Sequence, residues 1–341
     1  MQNCIIYTYD KKCINALQNK AIYSIIIKLC GRFDTLRNFL PDELNTTTEL
    51  DFHNNGKIRN YCPDGGSGNT KECKTDFDKI KAGCLWLFEQ FFVRNQKSDI
   101  NIVEYIMMWL SYKLNQKTYD GIKNLNDFYT KYIENNMHYT NCDDNGKDCN
   151  ESLKNNTGYR NYKEIIDNKN ELLSINLGHM SKFYDAFKLL CKMYTEIGSS
   201  DTISNKSLNC AKEFVEKYDE LNNPNNTKDN AYYQVLSTLS SDYKNFKKYC
   251  SNSNIDCSNI PPLPDIKTKE NGVQISEPSS EVTPSSSSVT NKLIPVLSII
   301  VAIPIFLGIF YKVNNKEFIN NLRDYLYAII KKYIICLPFL Y

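Results

Sequence analysis

The chain has 341 residues and a formal net charge of +2 at pH 7, from 41 Lys and Arg against 39 Asp and Glu. The two signs are interleaved, which reads as a solvated helical surface and argues against the basic stripe that holds a nucleic acid. Thirteen cysteines are many for a reduced compartment, yet no C-x-x-C occurs and the three histidines (His53, His138, His179) stand far apart, which argues against a zinc site built from close ligand pairs.

In chain order, residues 1–29 stand as an N-terminal extension. Its stretch Ala21–Leu29 is apolar but short, and no small-residue cleavage site follows it. Residues 30–257 predict an all-α, cysteine-rich domain. Helices are expected near Thr75–Phe92 and over Asn101–Gln116, where Ile102, Ile106, Trp109, Leu110 and Lys113 share one stripe. Asn101 with Glu104 makes a capping-box-like start to the second of these. Further helices are expected near Asp120–Asn136 and from Asn161 with Glu164 to about Ser174. The clearest is Leu177–Ile197, where Met180, Phe183, Tyr184, Phe187, Leu190, Cys191 and Tyr194 keep the three-four rhythm. Ser207–Asn222 and Ala231–Cys250 complete the set. Turn-rich connections lie at Pro63–Thr70, Cys142–Cys149 and Asn222–Asn230.

With Cys4, Cys13 and Cys336 set aside at the ends, an even set of cysteines remains, which fits a disulfide framework in an oxidising compartment. Cys84 and Cys191 lie on apolar helix faces and are expected to be free. The candidate disulfide cysteines are Cys30, Cys62, Cys73, Cys142, Cys149, Cys210, Cys250 and Cys257. Cys142 and Cys149 are placed to close their loop locally. The remaining pairing is open, since ten cysteines allow roughly 945 arrangements.

Residues 258–292 are rich in Pro, Ser, Thr and Glu and poor in large apolar residues, so a disordered stalk is expected. Residues 293–311, LIPVLSIIVAIPIFLGIFY, carry no charge between Lys292 and Lys312 and match the thickness of a bilayer core. Lys312, Lys316, Arg323, Lys331 and Lys332 follow the span. The positive-inside rule therefore puts the tail, 312–341, in the cytoplasm and the large domain on the exoplasmic side. The lipid bilayer is the first expected partner.

No constellation for chemistry assembles. Gly65–Lys71 lacks the G-x-x-x-x-G-K-[ST] spacing of a phosphate loop. Asn141, Asp143, Asn145 and Gly146 match the start of a calcium loop, but its twelfth place is Ser152 where a bidentate Glu is required. There is no G-x-S-x-G, and His179 on an amphipathic helix reads as structural. No enzyme activity, cofactor or metal is expected. The N-x-[ST] sequons at Asn45, Asn150, Asn155, Asn205 and Asn225 are about as many as so Asn-rich a text produces by chance.

The text resembles the Plasmodium interspersed repeat family of malaria-parasite variant antigens, rodent-malaria type. The resemblance rests on CGRFDTLRNFLPDELN from Cys30, NYCPDGGSGNTKECKTDFDKIKAGCLWLFEQFF, IVEYIMMWLSYKLNQ, FYTKYIENN, FYDAFKLLCKMYTEI and the anchor text SSSSVTNKLIPVLSIIVAIPIFLGIFYK. It implies a helical, disulfide-linked ectodomain on a membrane anchor, exported toward the infected red-cell surface or the parasite and vacuole membrane. It also implies roles in antigenic variation, immune evasion and host-cell adhesion, with host antibodies or an unidentified host receptor as partners. The alternative is a trafficking or scaffolding role in an internal parasite or vacuole membrane. The chain departs from the family in residues 1–29 and in its drift to the uncharged YIICLPFLY where the family usually continues with a strongly basic tail, and one or both ends are expected to reflect intron read-through or a shifted frame.

Overall fold

The computed structural model describes residues 22–65, 70–97, 99–144, 146–197, 203–252 and 255–267. The expected span 293–311, the tail 312–341 and most of the expected stalk lie outside these residues, as do positions 1–21. Among the described residues, no helix is long and apolar enough to cross a membrane.

Helices carry the described chain, and its only β pairing there is isolated bridges such as Asp64 with Lys71 and Asp143 with Asp148. Helix α1 covers 22–39. Helix α2, Asp76–Phe88, runs on into a π-helical stretch, Glu89–Arg94. Then come α3 (Ile102–Leu114), α4 (Leu125–Tyr132), the single turn α5 (Met137–Thr140), α6 (Asn150–Thr157) and α7 (Tyr162–Asp167). Three longer helices close the order: α8 (Leu177–Thr195), α9 (Asn205–Leu221) and α10 (Asn230–Asn252).

The centre is α3 and α8. Every residue of α3 is buried, polar ones included, so its apolar stripe is only part of an all-round contact. All seven residues of the α8 stripe are buried as well. On α2, Gly83 lets Trp109 of α3 come close: a Cβ there would stand 2.9 Å from the indole Cη2.

Several helix ends differ from expectation for local reasons. Asn101 has helical backbone angles and caps nothing; Asp99 Oδ1 instead accepts from the Asn101 amide at 2.9 Å. Glu104, freed from the cap, turns fully inward to Lys169 Nζ at 3.2 Å. The helix expected to run to Ser174 stops at Asp167 and resumes as a 3₁₀ turn, Asn170–Ser174, and the break turns Lys169 toward that buried carboxylate. Helix α4 starts at Leu125, later than expected. Gly121 takes φ +65°, which ends any earlier turn, and Asn124 Oδ1 caps the Asp127 amide at 2.8 Å. At α2, Thr75 and Asp78 do form a reciprocal capping box.

The domain boundaries expected at Cys30 and Cys257 are corrected at both edges. Ile26 and Leu29 are buried, and Tyr23 stacks on Tyr249 with ring centroids 3.8 Å apart. At the other edge, residues 258–267 pack against the helices where a stalk was expected. Ile260 is buried, and Leu263 and Ile266 pack against the core. Their spacing of three puts them on one side of a proline-rich extended strap. Tyr243 donates to the Pro261 carbonyl at 2.7 Å, and Asn222 brackets Asp265 and Lys267 through two 2.7 Å hydrogen bonds. Low apolar content hid this strap because few side chains carry it.

Four disulfides close among the described residues: Cys30–Cys191, Cys62–Cys73, Cys142–Cys149 and Cys250–Cys257. Two assignments are corrected. Cys191, expected to be free, bonds Cys30 and so joins α8 to α1, with Cα atoms 5.4 Å apart. Cys210, expected in the framework, has no sulfur partner among the described residues and sits on α9 at 8% exposure. An apolar face is where a bridge between two packed helices must lie, so burial did not mark Cys191 as free. Cys84 also lacks a sulfur partner there, and burial pushes its thiol pKa up to about 12.

Candidate interaction surface

Leu40–Leu44, at the start of the α1–α2 connection, shows how this chain uses charge inside. Lys113 is fully buried and donates to the carbonyls of Leu40, Pro41 and Asp42. Desolvation lowers its pKa to about 8, against the pull of Asp42 and Glu43. Asp42 accepts from Arg37 Nε at 2.7 Å and from the Tyr184 hydroxyl at 2.9 Å, while Tyr112 donates to Glu43. Gln116 completes the set, accepting from the Leu44 amide at 2.8 Å and donating to the Asp42 carbonyl at 2.7 Å. This cluster fixes the backbone and offers little to a ligand.

The two short disulfide loops are built differently. In the first, Cys62–Cys73, the chain is anchored by His53: its Nδ1 lies 2.9 Å from Asp51 Oδ1, and its Nε2 accepts from the Cys73 amide at 3.1 Å. Those two bonds place the proton of a neutral ring on Nδ1. In the second, Cys142–Cys149, the Cys142 amide donates to Asn150 Oδ1 at 2.9 Å. Gly146 at φ +77° lets its amide reach Asp143 Oδ1, also at 2.9 Å. Oxygens of Asp143 and Asp148 are thus engaged by backbone amides of the loop itself. Among the described residues, no group of His, Cys, Asp or Glu is arranged to hold a metal ion.

One buried carboxylate ties the loops together. Glu89, 2% exposed, accepts from Arg94 at 2.7 and 2.9 Å and from the Tyr61 hydroxyl at 3.1 Å. Tyr61 adjoins the first loop, and Arg94 holds Asp144 of the second at 2.8 Å. The π-helical winding matters here, because its five-residue repeat brings Arg94 over Glu89. Sequence reasoning missed Glu89. Its signal was a single acid inside the apolar run CLWLFEQFF with an arginine five positions on.

Between the loops lies a cleft of about 500 Å³. Lys57, Asn60, Tyr61 and Lys71 line it from the first loop region, and Asn141, Asp143, Asp148 and Asn150 from the second. Met137 and His138 of α5, Cys142 and the Arg94-bound Glu89 complete the lining. Met137 is 67% exposed, while His138 is half-buried with its ring edge-on to Tyr61 at 5.4 Å. Burial, then the charge of Lys71, hold the His138 pKa below its ordinary value, with Asp143 opposing them. The imidazole is therefore neutral at pH 7. Of the candidate cysteines, the cleft region brings together Cys62, Cys73, Cys142 and Cys149; Cys30 lies at the α1–α8 contact bonded to Cys191, Cys250 and Cys257 fasten the strap, and Cys210 sits on α9 with no sulfur partner among the described residues.

Residues 30–312 match the family described as Plasmodium variant antigen protein Cir/Yir/Bir. Among solved structures, the chain is similar to a Plasmodium PIR protein ectodomain at 30% identity and a TM-score of 0.49, covering 71% of this chain and 99% of that one. No curated protein matches.

Proposed function

The chain belongs to the Plasmodium variant antigen family Cir/Yir/Bir, and from that footing we propose that it is a membrane-anchored variant surface antigen of a malaria parasite, acting in antigenic variation, immune evasion and host-cell adhesion. The family match over residues 30–312 carries this reading. The matched stretch includes the uncharged run 293–311, which supports a single-pass anchor, and the basic residues after it support a cytoplasmic tail. The disulfides support an exoplasmic domain, since such bonds persist in oxidising compartments.

The physical demand of the role is modest. A stapled helical core tolerates exchange of surface residues, because substitutions away from buried features change stability little. Diversity facing host antibodies is then compatible with one fold. The reading includes no catalysis and no nucleic-acid partner. Its partners are the lipid bilayer and, on the far side, host antibodies or a host receptor.

Live, unpermeabilised infected red cells stained with an antibody to the domain, before and after surface protease, test the proposal. Protease-sensitive staining is the expected result. Signal seen only after permeabilisation would overturn surface display and favour a trafficking or scaffolding role in an internal membrane.

A further inference from the structure

We propose that the cleft between the two short disulfide loops docks a segment of a partner protein that carries one acidic and one basic side chain flanking an apolar one. The first argument is charge. The wall from the first loop region presents Lys57 and Lys71, and the wall from the second presents Asp143 and Asp148. None of these four forms an ion pair among the described residues, although opposite signs share one cleft. A ligand bearing both signs in the matching order meets both walls, whereas a ligand of one sign is attracted by one wall and repelled by the other.

The second argument is the apolar anchor. Met137, 67% exposed, lines the same cleft. An exposed, unbranched thioether adapts to whatever apolar side chain is laid on it. Beside it, neutral His138 offers one donor and one acceptor, which suits a peptide backbone. The third argument is preorganisation. Each wall is tied by its own disulfide, and Glu89 links the two through Tyr61 and Arg94, which limits the ordering that the described lining residues need on binding. Pockets for small molecules are lined mainly by apolar groups with a few polar ones. Four charges without an ion pair among the described residues, with Glu89 already held by Arg94, around one exposed methionine better fit the polar rim and apolar centre of a protein contact.

The inference deepens the adhesion part of the function proposed above, and it is tested on purified protein so that its failure stays separate from failure of surface display. The full chain in detergent micelles is titrated into fluorescent nine-residue peptides of Gly and Ser that carry Glu, Leu and Arg at alternate positions. Both orders are used, with Glu–Leu–Glu and Arg–Leu–Arg peptides as controls. One mixed order should bind better than the other and better than both controls. Lys71→Glu or Asp148→Lys should weaken it by up to about fivefold, the scale of one exposed ion pair. Reversing all four wall charges together (Lys57→Glu, Lys71→Glu, Asp143→Lys, Asp148→Lys) should invert the preferred order, which a merely damaged fold would not do. No binding of either mixed peptide, equal binding of the controls, or an order preference unchanged by the reversal would each overturn the proposal.

Discussion

Lys113 and Lys71 show two uses of the same side chain. Lys113 has no solvent exposure and serves three backbone carbonyls at the start of the α1–α2 connection, with Asp42 and Glu43 close by. Lys71 stands half-exposed at the cleft, donates to the Asn60 carbonyl at 2.9 Å and has no acidic partner among the described residues. Around Lys113 each charge answers a group inside the domain, so a change there propagates into the helix packing. Around Lys71 the charged side chains bond only single backbone groups near the surface, such as the Asn60 carbonyl and the Asn150 amide, so the fold depends less on their identity. In a variant antigen that division lets the surface change while the frame stays.

The sharpest way to break this contrast is through the bridges. Cys30–Cys191 closes 161 residues, whereas Cys142–Cys149 closes 7. Loop-closure entropy then makes the first worth about 5 kcal/mol and the second about 2. Cys30→Ala with Cys191→Ala should accordingly lower stability about twice as much as Cys142→Ala with Cys149→Ala in denaturant titrations. Equal losses would show that the long bridge pins nothing the packing does not already hold. Lys113→Met comes next. It leaves three carbonyls without their donor and takes a cation from beside Glu43 and Asp42, of which Asp42 keeps Arg37, and should cost about 3 kcal/mol, read as a drop in Tm.

The strap offers a test at the domain's edge. Ile260→Ala, in a side chain 3% exposed, should cost about 2 kcal/mol and speed proteolysis within 258–267. A loss within a few tenths would mean that the helices hold without it. A smaller effect of opposite sign is expected at Asp242, whose carboxyl accepts from Tyr105. Burial, with Asp99 and Glu104 adding to it, raises its pKa to about 6. A folded-state pKa above the unfolded one means that the folded state holds the proton more tightly. This group's contribution to stability is therefore greatest below pH ~4, falls as pH rises to about 6 and stays low above it. Asp242→Asn keeps an acceptor for Tyr105 and should gain about 1.5 kcal/mol at pH 7.5 and almost nothing at pH 3.5. Equal gains at both pH values would rule out titration as the cause.

How much of this was legible follows from what each feature needs. The three-four rhythm of Leu177–Ile197 is a property of one helix, so the buried face of α8 could be read directly. The bond from Cys191 to Cys30 depends on which faces of α1 and α8 meet, and no spacing within either helix encodes it. The same limit hid Lys169, which breaks its own helix to meet a carboxylate 65 positions away. The strap failed for another reason: its three apolar residues have a period of three in a proline-rich text, and composition averages over them. At the cleft, the loop cysteines Cys62, Cys73, Cys142 and Cys149 were visible, but the carboxylate of Glu89 that joins the loops was not, because a single charge in an apolar run takes its meaning from partners on other elements.

The smallest effect expected is also the one on which the comparison depends. Lys71→Glu and Asp148→Lys each replace a charge that has no ion pair among the described residues, at positions that are half-exposed and exposed. Lys71→Glu gives up a surface hydrogen bond to the Asn60 carbonyl and Asp148→Lys one from the Asn150 amide, but no cavity opens, so thermal denaturation should shift by no more than the equivalent of about 1 kcal/mol. Were either substitution to cost as much as Lys113→Met, the cleft charges would belong to the frame. They would then be constrained by folding, and a surface diversified against antibodies could not include them. A near-zero change, together with altered binding of charged peptides, would place them among the residues that the fold leaves free to vary.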